Sequence, residues 1–475
     1  MRSVRGLPWL SVLCLLFGCP SDDDDSAGDD DVTGDDDTAD ESRPWATDLP
    51  TLMDEIDHPR GFLPLRSILH FHSPFSHDAC DGLGYQDGLL DEECLTQMRD
   101  GLCRTGIDLA YVSDHPSYAA WHAYEEILLM REDDEEILVG SETVGSLISC
   151  TSGHEVMYLP GIEDDVMPLG LDRHVAPHGE EADALYNNTS QELFDAVADA
   201  GGMVFQAHPE ELDLETLAER QDMGMVGLEV FQLHAMLDPE SREEIYGLDP
   251  FGWIEDIGTF TVPDATGEPD LLFLAFFQEL GPNMDRWDHL LARGPSVGIA
   301  ATDAHRNVMP IPLSDGERPD GYRRMFRWFN NVVLADSKDP QAGDDAVAAG
   351  RLYIAFEILG TPDKLTFWYD DGAGTEHEMG ASCSGCTGGT LHLDCPVLSD
   401  SSPRDGINAP EITATVFKDG EAWQTGCGTF EITDPGAYRA RVDITPHHLT
   451  PFLGDDPSLF LHVYPWVYTN AIRVE

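Results

Sequence analysis

The stretch Ile68-Leu69-His70-Phe71-His72 constrains the fold of this chain more than any other. An apolar run that leads into histidines is typical of a strand buried inside a packed sheet, whose end opens into a cleft. Side chains two residues apart on an extended strand point to the same face. His70 and His72 are therefore expected to aim both imidazoles at one point, as the ligands of a metal ion do.

Further potential metal ligands follow in order at the ends of later apolar runs. A single His-x-His pair is a weak indicator, and the ordered series is what favours a metal site. Imidazoles with shared carboxylates suit zinc, manganese or iron and do not suit calcium. The residues of the series are Asp114-His115, Glu142, His154, His208 and Asp303-Ala304-His305.

Between residues 60 and 356 the pattern alternates between strand and helix. Strands are predicted over residues 66–71, 108–113, 137–142, 203–207, 226–231 and 296–302, and helices over 95–104, 118–131, 191–200 and 271–293. Repeated αβ units with ligands at the strand ends predict an α/β fold with a parallel sheet that is closed, or nearly closed, into a barrel. The polar segment 160–188 interrupts the alternation and is interpreted either as a lid over the rim or as a plain solvated insertion.

After residue 335 the pattern changes to short strands separated by turn residues. A short helix is predicted over residues 344–350, followed by strands over 352–359, 365–369, 391–393, 412–417, 436–444, 459–464 and 470–474. This part of the chain therefore predicts an all-β, sandwich-like domain.

The ligand-bearing motifs are, in chain order, His70-Phe71-His72 with Ser76-His77, Ser113-Asp114-His115, Gly140-Ser141-Glu142, Gly153-His154, Gln206-Ala207-His208-Pro209 and Thr302-Asp303-Ala304-His305. This set resembles the PHP superfamily, the polymerase and histidinol phosphatase metal-dependent phosphoesterases. The resemblance covers residues 64–305. The C-terminal strands, which end in Trp466-Val467-Tyr468-Thr469-Asn470-Ala471-Ile472, resemble a branch with a β-sandwich tail that is related to metallohydrolases of carbaryl-type carbamates.

The resemblance implies a distorted seven-stranded (β/α) barrel that holds two or three divalent metal ions. The implied ligands are His70, His72, Glu142 and Asp303 for the first metal, with Glu142 bridging to a second metal that His154 and His208 also bind, and His77, His115 and His305 for the third. Many relatives carry Asp where this chain has His77, so Asp78 is the alternative ligand. Asp114 is expected to orient a histidine rather than to bind metal.

The predicted chemistry is hydrolysis. Two divalent ions about 3.5–4 Å apart can deprotonate a bridging water and clamp both the attacking and the leaving oxygen. The predicted catalytic residues are Glu142, Asp303, His208 and Arg306, the last as a phosphate contact with a solvated surface arginine as the alternative.

The favoured function is an exported metal-dependent phosphoesterase that hydrolyses a small-molecule phosphate ester through a metal-bridging hydroxide. A carboxyl ester or carbamate is the alternative substrate, because the same hydroxide attacks carbonyl carbon as readily as phosphorus. The alternative of another class is a non-catalytic surface protein in which metal only stabilises the fold. The completeness of the ligand series argues against that alternative.

Acidic residues dominate the chain well beyond its most acidic stretch. The net charge is −64, and residues 22–41 contribute 12 of the 90 acidic residues. Such a surface repels nucleic-acid phosphates, and no stripe of basic residues offsets it. Nucleic acid is therefore not expected as a main partner.

The N-terminus is interpreted as an export signal. Arg2 and Arg5 precede the apolar run 7–17, which is too short for a permanent membrane helix. Leu16-Phe17-Gly18-Cys19 resembles the lipobox of bacterial lipoproteins, which implies a lipid anchor on Cys19. Ordinary cleavage is the alternative, because Phe17 is a loose fit to the small residue usual there. The location expected is the bacterial cell envelope, with membrane contact only through the anchor.

Eight cysteines follow Cys19 in two separated groups of four. In an exported protein they predict disulfides within each group, with the pairing left open. Cys383-Ser384-Gly385-Cys386 could instead belong to a four-cysteine zinc knot, for which the separation of Cys395 from Cys427 is poor.

Four regions are predicted along the chain. They are a signal peptide over residues 1–19, an acidic disordered tether over 20–59, a metallohydrolase domain over 60–358 and a β-sandwich domain over 359–475.

Overall fold

The computed structural model describes residues 45–49, 52–56, 58–386, 388–399 and 409–475. The predicted signal peptide, Cys19 and the acidic stretch at residues 22–41 lie outside the described residues. Within the described ranges, no helix combines the length and the hydrophobicity that crossing a membrane requires.

The helices are short and lie mainly between strands. They are α1 (Ala79–Gly82), α2 (Glu92–Arg104), α3 (Pro116–Ala119), α4 (Tyr124–Ile127), α5 (Glu180–Tyr186), α6 (Gln191–Asp199), α7 (Leu214–Met223), α8 (Leu233–Leu237), α9 (Ile254–Thr261), α10 (Gly281–Arg293), α11 (Tyr322–Trp328) and α12 (Pro340–Ala348). Turns of 3-10 helix lie at Met53–Glu55, Pro209–Glu211, Pro269–Ala275, Glu357–Leu359, His447–Phe452 and Pro457–Leu459, and a π-helix at Ser241–Ile245.

The strands of the first two thirds of the chain are β1 (Leu63–Ile68), β2 (Tyr85–Gln86), β3 (Leu89–Leu90), β4 (Leu109–Asp114), β5 (Glu135–Val139), β6 (Glu142–Ser149), β7 (Glu155–Ile162), β8 (Met167–Leu169), β9 (Met203–Gln206), β10 (Gly227–Gln232), β11 (Val297–Ala301) and β12 (Asn330–Ala335). The remaining strands are β13 (Leu352–Ala355), β14 (Pro362–Asp363), β15 (Thr366–Asp370), β16 (Glu376–Glu378), β17 (Ser382–Cys383), β18 (Gly389–Asp394), β19 (Val397–Leu398), β20 (Glu411–Lys418), β21 (Glu421–Thr425), β22 (Gly428–Ile432), β23 (Gly436–Thr445), β24 (Tyr464–Thr469) and β25 (Ile472–Val474).

Parallel strands form the part of the fold that carries the candidate site. β1 pairs in parallel with β4 and β4 with β7, while β9, β10 and β11 form a second parallel group. The two groups meet where Phe71, just beyond β1, forms a parallel bridge with Ala304, just beyond β11. β4, β9, β10 and β11 are buried along their whole length, as expected of parallel strands covered on both faces.

Apolar side chains from both groups of strands meet in one core between them. Its members include Leu65, Leu109, Leu159, Phe205 and Ile299. The mixed α/β class with a parallel sheet is therefore confirmed. The complete closure into a seven-stranded barrel stays a prediction, because the strands belong to two hydrogen-bonded sheets joined by the bridge.

Helix α2 shows how the helices are fixed to these sheets. The side chain of Asp91 accepts hydrogen bonds from the backbone N–H groups of Glu93 and Cys94, which caps the helix. Leu95, Met98 and other apolar residues on one face of the helix are buried against the core. Disulfides attach both halves of the helix to neighbouring segments.

The cysteine pairs are Cys80–Cys94, Cys103–Cys150, Cys383–Cys386 and Cys395–Cys427. Every pair joins members of the same group of four, so the prediction of disulfides within each group is confirmed.

The two longest predicted helices are broken in the structure. Residues 271–293 form the 3-10 helix Pro269–Ala275 and then α10, which begins at Gly281. Pro282 lies in the first turn of α10, where its missing N–H is tolerated, and it cannot continue a preceding helix. Residues 118–131 form α3, a turn and α4.

The segment 160–188 is more regular than predicted. β7 continues through Ile162, β8 follows, and α5 precedes the next αβ unit. β8 pairs antiparallel with β9, so this segment is part of the sheet architecture. The interpretation as an insertion outside the αβ pattern is corrected accordingly.

The C-terminal region is rich in strands, as predicted. One sheet has the order β16-β15-β18-β22, and a second group contains β20, β23, β24 and β25. This second group is continuous with the first part of the chain, because β24 pairs with β13 and β13 pairs with β12. The boundary drawn at residue 358 stays a prediction.

The end of the predicted tether is packed against the folded part of the chain. The indole Nε1 of Trp45 donates a 2.8 Å hydrogen bond to Asp270, and its ring lies 5.0 Å from that of Phe452. Met53 is buried. The prediction that disorder extends to residue 59 therefore needs correction for the described residues from Trp45 onwards.

Candidate metal centre

The candidate centre lies where the parallel strands end. His70 and His72 follow β1, His115 follows β4 and Glu163 follows β7. His208 follows β9, and Asp303 and His305 follow β11. Because the carboxyl ends of parallel strands meet at one edge of a sheet, these side chains converge although they are far apart in sequence.

Four histidines of the centre are held through Nδ1, which leaves Nε2 to face the other members. The Nδ1 partners are Glu229 Oε1 for His70 (2.5 Å), Ser76 Oγ for His72 (3.1 Å), the carbonyl oxygen of Glu163 for His115 (2.9 Å) and the carbonyl oxygen of Asp303 for His305 (2.9 Å). A carboxylate or carbonyl on one ring nitrogen orients the other, which is the usual environment of a metal-binding histidine.

Glu163 presents its two carboxylate oxygens to different histidines. Oε1 lies 3.5 Å from His208 Nε2, while Oε2 lies 3.0 Å from His115 Nδ1 and 3.9 Å from His72 Nε2. The side chain is buried. Glu163 therefore lies between His208 on one side and His115 and His72 on the other.

Asp303 occupies the middle of the centre. Its Oδ1 lies 3.2 Å from His70 Nε2 and 3.3 Å from His72 Nε2, and its Oδ2 lies 3.6 Å from His208 Nε2. Oδ1 is buried and makes no hydrogen bond of good geometry with any described residue. A bound cation would provide the partner that this buried carboxylate oxygen lacks.

Asp78 and His305 complete the centre on its other side. Asp78 Oδ2 lies 3.2 Å from His305 Nε2 and 3.6 Å from His115 Nε2. The ring of His305 stacks on that of His72 with centroids 3.7 Å apart. The Nε2 atom of His305 is buried and has no hydrogen-bond partner among the described residues.

These contacts define three overlapping groups whose ligand atoms lie within 4.8 Å of one another. The groups are His70, His72 and Asp303; His70, Glu163 and His208; and His72, Asp78, His115 and His305. The donors are imidazole nitrogens and carboxylate oxygens, which suit zinc, manganese or iron. The residues present therefore fit divalent metal ions.

The carboxylates of the centre are ionised at neutral pH. Burial would raise the pKa of Asp303, but the charges of His305 and His70 hold it well below its ordinary value. Burial opposes ionisation of Glu163 as well, and the hydrogen bond from His115 contributes to a pKa well below the ordinary value. Ionised carboxylates are the form that binds cations.

The histidines of the centre differ strongly in their affinity for protons. Burial would lower the pKa of His70, but the charges of Glu229 and Asp303 raise it to about 10. Burial and the charge of His305 lower the pKa of His72 to about 3. Opposite shifts in neighbouring rings are typical of a functional site.

The backbone is left-handed at two ligand positions. His208 has φ of 47° and Asp303 has φ of 50°. Side chains with a Cβ atom rarely adopt this conformation, and it is retained mainly where the surroundings fix it at functional sites. Here the N–H of His208 donates to Glu229 Oε2 at 3.0 Å, and that of Asp303 donates to the carbonyl of His70 at 3.1 Å.

The structure does not bring Glu142 or His154 to the centre. Glu142 is exposed at the turn between β5 and β6, at the edge of the sheet, where Ser141 is its hydrogen-bond partner. His154 precedes β7, and its Nε2 lies 2.7 Å from the carbonyl of Ile107, which precedes β4. His154 is therefore at the amino end of these strands, opposite to the ligands.

His77 and Arg306 lie near the centre but outside the three groups. His77 is exposed, with its ring 4.9 Å from that of His115, and the neighbouring Asp78 belongs to the third group instead. Arg306 lines a surface pocket with Arg318 and other residues, none of which belongs to the three groups of the centre.

Among the described residues, the carboxylate of Asp114 is hydrogen-bonded to Ser73 and not to a histidine. It accepts hydrogen bonds from the backbone N–H (2.6 Å) and the hydroxyl (2.5 Å) of Ser73. Burial raises the pKa of Asp114 to about 6. Asp114 thus fixes the loop after His72, which corrects the expectation that it orients a histidine directly.

Sequence reasoning missed Glu163 and Glu229. Glu163 ends the run Val156-Met157-Tyr158-Leu159-Pro160-Gly161-Ile162, so the same rule that singled out His208 applies to it. The polar residues that follow Glu163 hide this signal, because they favour a loop over residues 160–188. Glu229 lies within the buried strand β10, where a charged residue is unusual and indicates a role.

No protein-family model matches the chain, and no curated protein matches it either. Among solved structures, the chain is similar to a two-domain protein from Bacteroides vulgatus that contains a predicted PHP-like metal-dependent phosphoesterase. The alignment covers 87% of this chain and 98% of that chain, with 12% sequence identity and a TM-score of 0.37. A match at this TM-score carries no argument about function, so the assignment of the centre rests on its geometry.

Proposed function

We propose that this chain is a metal-dependent hydrolase that cleaves phosphate esters. The observation that carries the proposal is the orientation of the histidines. Their Nδ1 atoms are held by protein oxygens while their Nε2 atoms face the carboxylates of Asp303, Glu163 and Asp78 at the carboxyl ends of the strands. A site built only for stability has no need of so many ionisable ligands facing one another.

The proposed ligand assignment follows the three groups. His70, His72 and Asp303 would hold one ion, Glu163 and His208 a second beside it, and Asp78, His115 and His305 a third. Glu163 is assigned the bridging role that the resemblance implies for Glu142, because its Oε1 faces the Nε2 of His208 and its Oε2 faces the Nε2 of His72.

Divalent ions held here would act as Lewis acids that activate water and stabilise the charge that develops on the phosphoryl oxygens. The chain itself has a net charge of −64 and repels anions. Metal ions held by these ligands would therefore supply, at one place, the positive charge that an anionic ester requires.

The test combines metal analysis with a hydrolysis screen. The purified full chain should carry about two to three zinc, manganese or iron ions, and chelation should abolish turnover that added metal restores. Phosphomonoesters and phosphodiesters are expected to be cleaved. A folded sample that binds less than about one ion after reconstitution contradicts the metal centre. If the protein cleaves aryl carboxyl esters or carbamates but no phosphate ester, its substrates are carboxyl esters or carbamates and the proposed substrate class is wrong.

We also propose that the chain is exported and anchored through Cys19. The export signal in the sequence and the cysteine pairs support an oxidising compartment outside the cytosol. In detergent-phase partitioning, the full-length protein should enter the detergent phase and the Cys19→Ala variant should not. Equal partitioning of the two forms would refute lipidation at Cys19.

A further inference from the structure

A second group of metal-ligating side chains lies in the C-terminal region, away from the histidine-rich centre. It consists of Asp371, His377, Cys383 and Cys386, whose potential ligand atoms lie within 4.8 Å of one another. Asp371 follows β15, His377 lies on the neighbouring strand β16, and Cys383 ends β17. Three separate segments therefore converge on one point.

The carboxylate of Asp371 is fixed in place. Its Oδ1 accepts hydrogen bonds from the N–H groups of Ala373 (2.7 Å) and Thr375 (3.0 Å). Its Oδ2 faces His377 Nε2 at 3.9 Å, which is too long for a hydrogen bond. Neighbouring ligands of one tetrahedral zinc ion are separated by a similar distance, about 3.4 Å for bonds of about 2.1 Å.

His377 has an unsatisfied ring nitrogen. Among the described residues, its Nε2 atom has no hydrogen-bond partner although it is buried from solvent. The residue pairs with Tyr369 of β15, and the rings of the two residues lie 5.9 Å apart. A buried nitrogen without a partner, next to a fixed carboxylate and two sulfurs, is the condition that a bound cation relieves.

The two cysteines differ from the other pairs in their spacing. Cys383 and Cys386 are separated by 3 positions, against 14, 47 and 32 for the remaining disulfides. The Cys-x-x-Cys spacing is typical of redox-active pairs and of zinc ligands. Two hydrogen bonds that do not involve the sulfurs also hold the backbone of this turn. The N–H of Gly385 donates to the carbonyl of Glu475, and the N–H of Glu475 donates to that of Cys383.

We propose that Asp371, His377, Cys383 and Cys386 form a zinc site that exists in the dithiol state and is replaced by the Cys383–Cys386 disulfide on oxidation. A dithiol reductant supplies two electrons and two protons, breaks the S–S bond and becomes a disulfide itself. Zinc then binds both sulfurs as thiolates and releases their two protons. His377 and Asp371 complete a four-ligand site, which differs from a four-cysteine knot because Cys395 and Cys427 pair with each other.

The experiment uses Co²⁺ as a probe in the full chain, before and after reduction under anaerobic conditions. Thiolate ligation of Co²⁺ gives a near-ultraviolet charge-transfer band, and the histidine-rich centre contains no sulfur ligand. The band should develop only after reduction, disappear on addition of Zn²⁺, and be lost in the Cys383→Ser/Cys386→Ser variant. His377→Ala should weaken Co²⁺ binding at this site by at least about 10-fold.

Matched controls separate this site from other sources of the signal. The Cys395→Ser/Cys427→Ser variant removes another disulfide of the same region and should keep the band. Asp303→Asn, which alters the histidine-rich centre, should keep it too. A reduced wild-type protein without the band, or a band that persists in the Cys383→Ser/Cys386→Ser variant, overturns the zinc site. Neither result bears on hydrolysis at the other centre.

Discussion

Glu163 and Glu142 form a natural pair for testing the centre at the scale of single residues. Both lie at the end of a strand, Glu142 at the start of β6 and Glu163 directly after β7, and only Glu163 faces the histidines. Glu163→Gln should lower kcat/KM by more than the roughly 10–100-fold loss typical of residues that only orient a ligand, and should reduce the bound metal. Steady-state kinetics and metal analysis of the two variants check this.

The control in this comparison is Glu142→Gln, which changes the same functional group on an exposed turn. It should retain activity within about two-fold, since surface substitutions away from a site have small effects. Loss of activity in Glu142→Gln with a fully active Glu163→Gln would return the bridging role to Glu142.

Glu229 is predicted to position His70 without binding metal. Its Oε1 lies 2.5 Å from the Nδ1 of His70, and its Oε2 accepts from the N–H of His208. Glu229→Gln removes the charge while keeping an acceptor, so metal affinity should fall about 10–100-fold with the fold retained. Metal titration followed by circular dichroism measures both. Unchanged affinity would show that His70 does not depend on this carboxylate.

The sequence predicted most of the histidines that the structure brings together at the centre, and it did not predict the glutamate that lies between them. His70, His72, His115 and His305 each follow an apolar strand, which is a local pattern. Whether a glutamate such as Glu163 reaches the same point depends on which strands lie beside it. The local sequence does not reveal which strands are neighbours in the sheet, because segments at the edge and in the middle of a sheet have similar residues.

At the scale of elements, buried strands were easier to predict than helices. Strands such as β4 and β9 are continuous apolar runs because both of their faces are covered. Helix ends depend on single residues instead. Pro282 begins α10 and separates it from the preceding 3-10 turn, whereas the apolar pattern alone continues across it.

The packing of α12 on β4 predicts a pH-dependent stability. The hydroxyl of Tyr111 donates a 2.7 Å hydrogen bond to Asp344. Burial, assisted by the charge of Asp172, raises the pKa of Asp344 to about 7. The folded chain therefore keeps a proton that the unfolded chain releases near pH 4, and stability falls as pH rises from about 4 to 7.

Asp344→Asn removes this titration and should be more stable than wild type at pH 8, by on the order of 1–3 kcal/mol. The difference in stability should vanish below about pH 4, where Asp344 of the wild type is protonated in both the folded and the unfolded chain. Urea unfolding at several pH values measures it. Asp345→Asn, an exposed neighbour on the same helix, is the control: it keeps Asp344, so its stability should still fall from about pH 4 to 7 as in wild type. Equal pH profiles for wild type and Asp344→Asn would contradict the prediction.

At the scale of the whole molecule, the C-terminal region extends the sheet that carries the centre. Ile354 in β13 is paired with Tyr468 in β24, although more than a hundred residues separate them. A change of local pattern near residue 335 indicated a β-rich region and could not show this pairing. Pairing between strands that are distant in sequence depends on tertiary contacts, which hydrophobic periodicity and composition do not reveal.

Side chains reinforce this continuity across the predicted boundary. The ring of Phe277 stacks on that of Tyr464 with centroids 5.5 Å apart, and the hydroxyl of Tyr468 donates to Glu279 at 2.9 Å. Arg439 forms an ion pair with Asp288 at 2.7 Å. Removal of residues 359–475 would expose the edge of β13 together with these apolar and charged groups.

We therefore expect the fragment 45–358 to aggregate or to remain unfolded, because an exposed strand edge beside apolar surface is prone to association. The fragment 45–475 lacks the predicted signal and most of the tether, and it serves as the control. It should be soluble and should unfold in one cooperative transition. Size-exclusion chromatography and thermal circular dichroism distinguish the two. A monomeric fragment 45–358 with a sharp transition and its full complement of metal would show that the parallel strands fold independently of β24.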